Sequence, residues 1–239
     1  MNSLNLNIDM GEGFQNENEL MPLIDACNIA CGGHSGSLDE MQRVIGLAKN
    51  NKVKIGAHPS YPDRENFGRK SMEISQEKLI KSLKDQLNGF LQLLEDVTEL
   101  HHVKAHGALY NDCAKNSELA EILLNVLKEC CPSVILFTLP HSILEKKAKE
   151  RGFRVWREAF LDRGYTDQGQ LQYRREPGAI LKTSKAMYAQ FKSISQNKHV
   201  QTVSGNWIPM EADTFCLHGD HPRVVQNLKE LLKLNSPTQ

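Results

Sequence analysis

The stretch HHVKAHGALYN, residues 101–111, decides how the rest of the chain is read. Strand side chains change face at every residue, so Val103 and Ala105 point one way and His102, Lys104 and His106 the other. Imidazoles and an ammonium on one strand face are costly to bury unless that face lines a wet or ligand-filled space. Gly107 then lets the backbone turn. The spacing predicts a strand that ends at an active site.

The same grammar extends in both directions. Residues 4–9 alternate Leu4, Leu6 and Ile8 with Asn5, Asn7 and Asp9, a half-polar strand ending in an acid. Residues 26–31 form a second run that stops at Gly32, Gly33 and His34, and residues 53–57 a third that stops at His58 and Pro59. Ser37 and Glu40 make a capping-box pattern ahead of a helix carrying Met41, Val44, Ile45 and Ala48. Ser75 opens a helix of about twenty residues with an apolar stripe. Ser117 opens another, to about Cys131, and Pro132 cannot continue it.

Further on, residues 133–138 read as a buried strand, 141–151 as a helix and 153–158 as a strand ending at Glu158. A loop carries Phe160, Asp162, Arg163, Tyr165, Arg174 and Arg175. A helix from Pro177 to Ser195 follows, then a weak strand at 199–203, a strong one at 214–220 and a last helix opened by His221 and Pro222. The tail beyond 234 is expected to fray.

Strand–helix alternation implies parallel strands joined by crossover helices. Seven or eight strands in 239 residues fit a closed barrel in one domain, residues 1–239, better than an open sheet. Lys plus Arg and Asp plus Glu are 29 each, which argues against a nucleic-acid or membrane-surface role. The first residues show neither a basic region nor a long apolar core, and no run approaches the roughly 20 apolar residues of a membrane helix. A cytoplasmic location is expected, with the six cysteines as reduced thiols. They read as small buried hydrophobes or surface thiols; a nucleophilic Cys27 or Cys31 is the alternative.

Ionisable residues gather where strands stop: Asp9 and Glu12, His34, His58, Lys104 and His106, Glu158, then His218 and Asp220. In parallel α/β folds these carboxyl ends carry the site. A lone histidine there is most often structural; six strand ends aimed at one mouth reverse that weighting. Histidine and glutamate are the usual acids and bases near neutrality. Arg163 beside Asp162 is suited to clamp an anion or to form a loop ion pair. Asp9, His34, His58 and His106 are suitable ligands for a divalent metal, although no compact H-E-x-x-H spacing is present. There is no phosphate loop, no G-x-S-x-G elbow and no G-x-G-x-x-G after the first strand.

At these residues the chain resembles the LamB/YcsF family. The matching motifs are IDMGEGF (8–14), NIACGGHSG (28–36), IGAHPSYPD (55–63), FGR (67–69), VKAHGALYN (103–111), EAFLDRGY (158–165) and CLHGD (216–220). The resemblance implies a distorted seven-stranded parallel β/α (TIM-like) barrel, similar to that of polysaccharide deacetylases. It further implies ATP-dependent opening of 5-oxo-L-proline to L-glutamate, in a complex with two further subunits, B and C, which supply part of the ATP chemistry. In that reading Asp9, His58, His106, Glu158 and His218 are catalytic. Glu12, His34, Lys104, Arg163 and Asp220 hold the substrate, with Arg163 or Lys104 facing its carboxylate. The alternatives are a stand-alone metal-dependent amide or deacetylase-type hydrolase and a non-catalytic lactam-binding regulator.

Overall fold

The computed structural model describes residues 4–221 and 223–236. Seven parallel strands close into a barrel in the order β1 (Leu6–Met10), β2 (Ala26–Ala30), β3 (Lys54–His58), β4 (Leu100–Lys104), β5 (Ile135–Thr138), β6 (Arg154–Phe160) and β9 (Thr214–Cys216), which returns to β1. The expected seven-stranded β/α barrel is the fold observed. Two shorter strands, β7 (His199–Gln201) and β8 (Trp207–Pro209), form an antiparallel ribbon outside it.

The crossovers carry α1 (Glu17–Leu20), α2 (Leu38–Asn51), α3 (Gln76–Leu91), α4 (Gly107–Lys115), α5 (Ser117–Cys130), α6 (Ile143–Glu150) and α7 (Ser184–Lys192), and α8 (Val224–Asn235) follows β9. Their starts are set locally, because the first N–H groups of a helix lack intrahelical acceptors. Ser37 Oγ accepts from the Glu40 N–H at 3.2 Å, Ser142 Oγ from the Glu145 N–H at 3.0 Å and Asn116 Oδ1 from the Glu118 N–H at 2.9 Å. The apolar core is a sleeve between sheet and helices. Leu6, Ile8 and Met10 leave β1 outward and meet it, as do Val44 of α2 and Leu83 and Leu87 of α3, all fully buried. No described helix is long and apolar enough to cross a membrane.

Several expectations are corrected. The segment after His106 is α4 rather than a turn leading only to Ser117. Gly107, at φ +55°, makes the sharp entry. The helix after Ser75 stops at Leu91, short of twenty residues. The one placed from Pro177 starts at Ser184, because Gly178 takes φ +77° and turns the chain first. It then widens into a π turn, Ser193–Asn197. The weak strand at 199–203 belongs to the outer ribbon, not the barrel, and the strong one stops at Cys216, leaving His218 and Asp220 in the following loop. Pro222 and the tail beyond 236 lie outside the described residues.

Candidate active site

The barrel interior is polar, which follows from the inward half of each alternating strand. Asn7 and Asp9 come from β1, Asn28 from β2, Gly56 and His58 from β3, His102 and Lys104 from β4, and Glu158 from β6. At the lower level the groups form one chain of donors and acceptors. His102 Nε2 bonds Asn28 Oδ1 at 2.6 Å. The Asn28 amide donates to Asn7 Oδ1 and Asp9 Oδ1, both at 2.8 Å, and the Asn7 amide donates to Thr214 Oγ1 at 2.9 Å. The His102 ring stacks on Phe137 at 4.0 Å and reaches across only because residue 56 is glycine: a Cβ there would overlap the ring. Burial holds His102 well below its ordinary pKa, hence neutral.

One level up, Lys104 Nζ lies 3.0 Å from Asp9 Oδ1 and 3.0 Å from Glu158 Oε1, over the Phe160 ring. Burial alone would lower the Lys104 pKa, but Asp9, Cys216 and Glu158 hold it well above its ordinary value. Burial alone would raise Asp9, but His58 and Lys104 hold it well below. The pair is therefore ionised at neutral pH.

At the mouth, three imidazoles and a carboxylate meet. His34 Nε2 is 3.0 Å from Glu12 Oε1, and His106 Nδ1 is 3.3 Å from the same oxygen. His106 Nδ1 is also 2.9 Å from His58 Nε2, which lies 3.5 Å from Asp9 Oδ2. The His34 and His106 rings stack at 3.6 Å. Burial pushes His34 down to about 2 and His106 well below its usual value. Burial and the Asp9 charge push Glu12 up. Four donor atoms, one each from Glu12, His34, His58 and His106, lie within 4.8 Å of one another, a set that suits a metal. Glu12 stands where the sequence reading had placed Asp9; Asp9 lies beside this group, engaged by Lys104.

The opposite wall carries His218. Its Nδ1 is 2.9 Å from Asp162 Oδ2, and the same oxygen accepts the His218 N–H at 3.2 Å. Burial opposes ionisation of Asp162, yet His218 holds it down to about 2. This is the arrangement in which a carboxylate fixes the orientation of a basic imidazole. Asp220 caps the rim, bound by Arg174 at 2.8 Å and Arg69 at 2.7 Å. Its carboxyl is held below its ordinary value by Arg174 against the cost of burial.

All these walls enclose one cavity of about 1190 Å³ at the carboxyl ends of the strands. Of the ten residues singled out from sequence, all but His34 and Glu158 border it, and those two stand directly behind His106 and Lys104. Arg163 borders the cavity, but its guanidinium donates to the backbone carbonyls of Ala179, at 3.2 Å, and Gln172, at 2.5 Å. It ties the loop after β6 together, and Asp162 pairs with His218 instead. Sequence reasoning did not assign Asn28, Arg69 or Arg174 a place in the site, and it paired Asp162 with Arg163 rather than with His218. Asn28 had a signal, since it alternates with Cys27 and Ile29 on its strand; Arg69 had its place in the FGR motif, and Arg174 had none beyond charge. Five of the six cysteines are buried and all are free. Burial pushes Cys27 and Cys31 up to about 12, which removes them as nucleophiles near neutrality.

Fold and site together define a parallel β/α barrel with a polar interior and an ionisable cavity at the carboxyl mouth, where such barrels do their chemistry. The chain belongs to the LamB/YcsF family, whose pattern it matches over residues 4–236. It is 36% identical over 234 residues to proteins named as the A subunit of 5-oxoprolinase from Haemophilus influenzae strains PittEE and 86-028NP, covering 98% of this chain and 96% of each relative. A solved structure of a lactam utilization protein from Thermus thermophilus superposes with a TM-score of 0.88 at 32% identity, covering 98% of this chain and 97% of that one. A putative α-L-fucosidase from Bacteroides thetaiotaomicron, at 9% identity and a TM-score of 0.53, shares the fold alone and is covered over 65% of its length.

Proposed function

We propose that this chain is the A subunit of a 5-oxoprolinase, opening the lactam ring of 5-oxo-L-proline to give L-glutamate. The observation that carries the reading is the near full-length similarity to proteins of that name, at 36% identity over 98% of the chain. The cavity chemistry supports it. Ring opening needs a base for the attacking water, a positive charge for the oxygen of the tetrahedral adduct and a proton for the departing nitrogen. His218, oriented by Asp162, serves as the base and returns the proton to nitrogen. Lys104, held ionised between Asp9 and Glu158, supplies the charge. Asp9, held ionised beside Lys104, lines the mouth next to His58. With Arg163 committed to backbone, Arg174 and Arg69 are better placed to meet the substrate carboxylate, Asp220 holding them at the rim.

A lactam is stabilised by resonance, and transfer of the γ-phosphoryl group of ATP to its carbonyl oxygen, with ADP leaving, makes it a far better electrophile. Water then adds at that carbon, the C–N bond breaks as nitrogen takes a proton, and a second water releases inorganic phosphate. We assign part of the ATP chemistry to two partner subunits, B and C, which suits a sequence without a phosphate loop. The test is co-expression of the chain with the products of its neighbouring genes, followed by assay of ATP-coupled glutamate release from 5-oxoproline. Release that requires all three proteins and ATP is expected. Binding of 5-oxoproline with no release under those conditions would instead make the chain a lactam-binding regulator.

A further inference from the structure

The histidines at the mouth hold a mismatch that protein atoms alone do not resolve. His58 Nδ1 lies 2.7 Å from the Lys104 carbonyl, and His106 Nε2 lies 2.9 Å from the Phe67 carbonyl. A carbonyl only accepts, so each of these nitrogens carries a hydrogen. In neutral rings that leaves His58 Nε2 and His106 Nδ1 as bare lone pairs, and they face each other at 2.9 Å. Glu12 Oε1 sits 3.3 Å from His106 Nδ1, and a carboxyl proton there would satisfy one lone pair and still leave the two ring nitrogens facing each other. Three electron-rich atoms thus point into one small space, all on buried side chains. Something positive must lie among them.

We propose that His34, His58, His106 and Glu12 bind a single divalent transition-metal ion of the zinc class. Three imidazoles and one carboxylate are borderline donors, preferred by zinc, cobalt, nickel or iron over magnesium or calcium, which favour oxygen alone. Bonds of about 2.0–2.1 Å at tetrahedral angles put neighbouring donors about 3.3 Å apart. The separations of 2.9, 3.0 and 3.3 Å across His58–His106, His34–Glu12 and His106–Glu12 are close to that. The backbone carbonyls of Lys104 and Phe67 do what outer groups do around metal-binding histidines: they fix the tautomer and aim the free nitrogen. His34 Nδ1 is buried without a hydrogen-bond partner among the described residues, so that ring is not held by a second polar contact of its own. Gly68 and Gly107 let the loop over the cluster come close, since a Cβ at Gly68 would press on His34 and His106. Glu12, His58 and His106 border the cavity, so the site opens to it. When bound, such an ion supplies Lewis acidity toward an amide carbonyl.

The use of the ion rests on the lactam reading of the cavity, whereas its binding does not, and binding is what the experiment measures. The full chain is purified without a histidine tag or chelator and its metal content measured. It is then stripped and titrated with Co²⁺, followed by visible d–d absorption, and with Zn²⁺ in competition. About one equivalent of metal as isolated and a saturable Co²⁺ spectrum displaced by Zn²⁺ are expected. Glu12→Gln and His58→Ala should each weaken Co²⁺ binding tenfold or more, while His199→Ala, exposed on the outer ribbon, should not. Circular dichroism checks that each variant is folded, and if one is not, the wild-type titration decides alone. No saturable Co²⁺ or Zn²⁺ binding, or binding untouched in both folded variants, overturns the site. A proton shared between His58 and His106 is then the positive species, visible as a far-downfield N–H resonance. Metal bound without lactam turnover would overturn the functional reading and leave this site standing.

Discussion

His102 and His106 lie four residues apart in one segment, and both are buried with lowered pKa values, yet they serve opposite ends. At the lower level of the barrel, donors and acceptors match from His102 through Asn28 and Asn7 to Thr214. At the mouth, His58 and His106 bring ring nitrogens to 2.9 Å while their other nitrogens are taken by carbonyls, so neutral rings have no hydrogen to share. A buried polar network whose partners are complete fixes the structure. One left incomplete keeps its unsatisfied valence for something that arrives later. Residue type does not separate the two levels; the pairing of donors with acceptors does.

The contrast breaks most clearly at the mouth. In the three-protein assay proposed above, His106→Ala should cut glutamate release by about 100-fold or more, since even the outer partners of a metal site are worth about 10–100-fold. With metal stripped from both proteins its thermal unfolding midpoint should stay close to that of wild type, because His106 ends the barrel rather than filling it. Wild-type turnover from the folded variant would remove His106 from the mechanism.

A smaller effect probes the lower level. Gly56→Ala drives a Cβ into the His102 ring and should cost about 1–3 kcal/mol in urea unfolding, as overpacked cores do. Paired with His102→Ala it should cost less than the two single changes added, since the smaller side chain makes room. Additive losses would mean that the His102 ring does not set the need for glycine.

The smallest effect is one of pH. His102 is neutral in the fold but takes up a proton in the unfolded chain below about pH 6.5, so acid favours unfolding. The stability of wild type relative to His102→Asn should be constant above that pH. It should fall by about 1.4 kcal/mol per pH unit as the pH drops from 6.5. Half-buried His101, pushed down to about 4 by burial, adds the same trend to both proteins and cancels in the difference. A gap that widened toward acid in favour of wild type would show that His102 is charged in the folded protein.

Much of this was legible without coordinates. Alternation placed Asn7, Asp9, His102 and Lys104 on inward faces, because a strand has no other way to sort polar from apolar residues. Ser37 and Ser75 marked helix starts because capping is a local hydrogen bond. What escaped was settled at a distance. Nothing local told α4 from a turn, or the outer ribbon from a barrel strand, since short segments take their structure from what they pack against. Arg163 looked like an anion clamp until its donors were found on Ala179 and Gln172.

The sequence by itself therefore determined the barrel, its polar lumen and the gathering of ionisable groups at the carboxyl ends of its strands, because these follow from periodicity and chain direction. Only the tertiary structure decided that Asp162 serves His218, that Glu12 rather than Asp9 joins the three histidines, and that two of those rings bring nitrogens within 2.9 Å of each other while their other nitrogens face carbonyls. Those facts depend on which atoms from distant strands come within about 3 Å, hydrogen-bonding distance, and side-chain spacing along one chain carries no record of that.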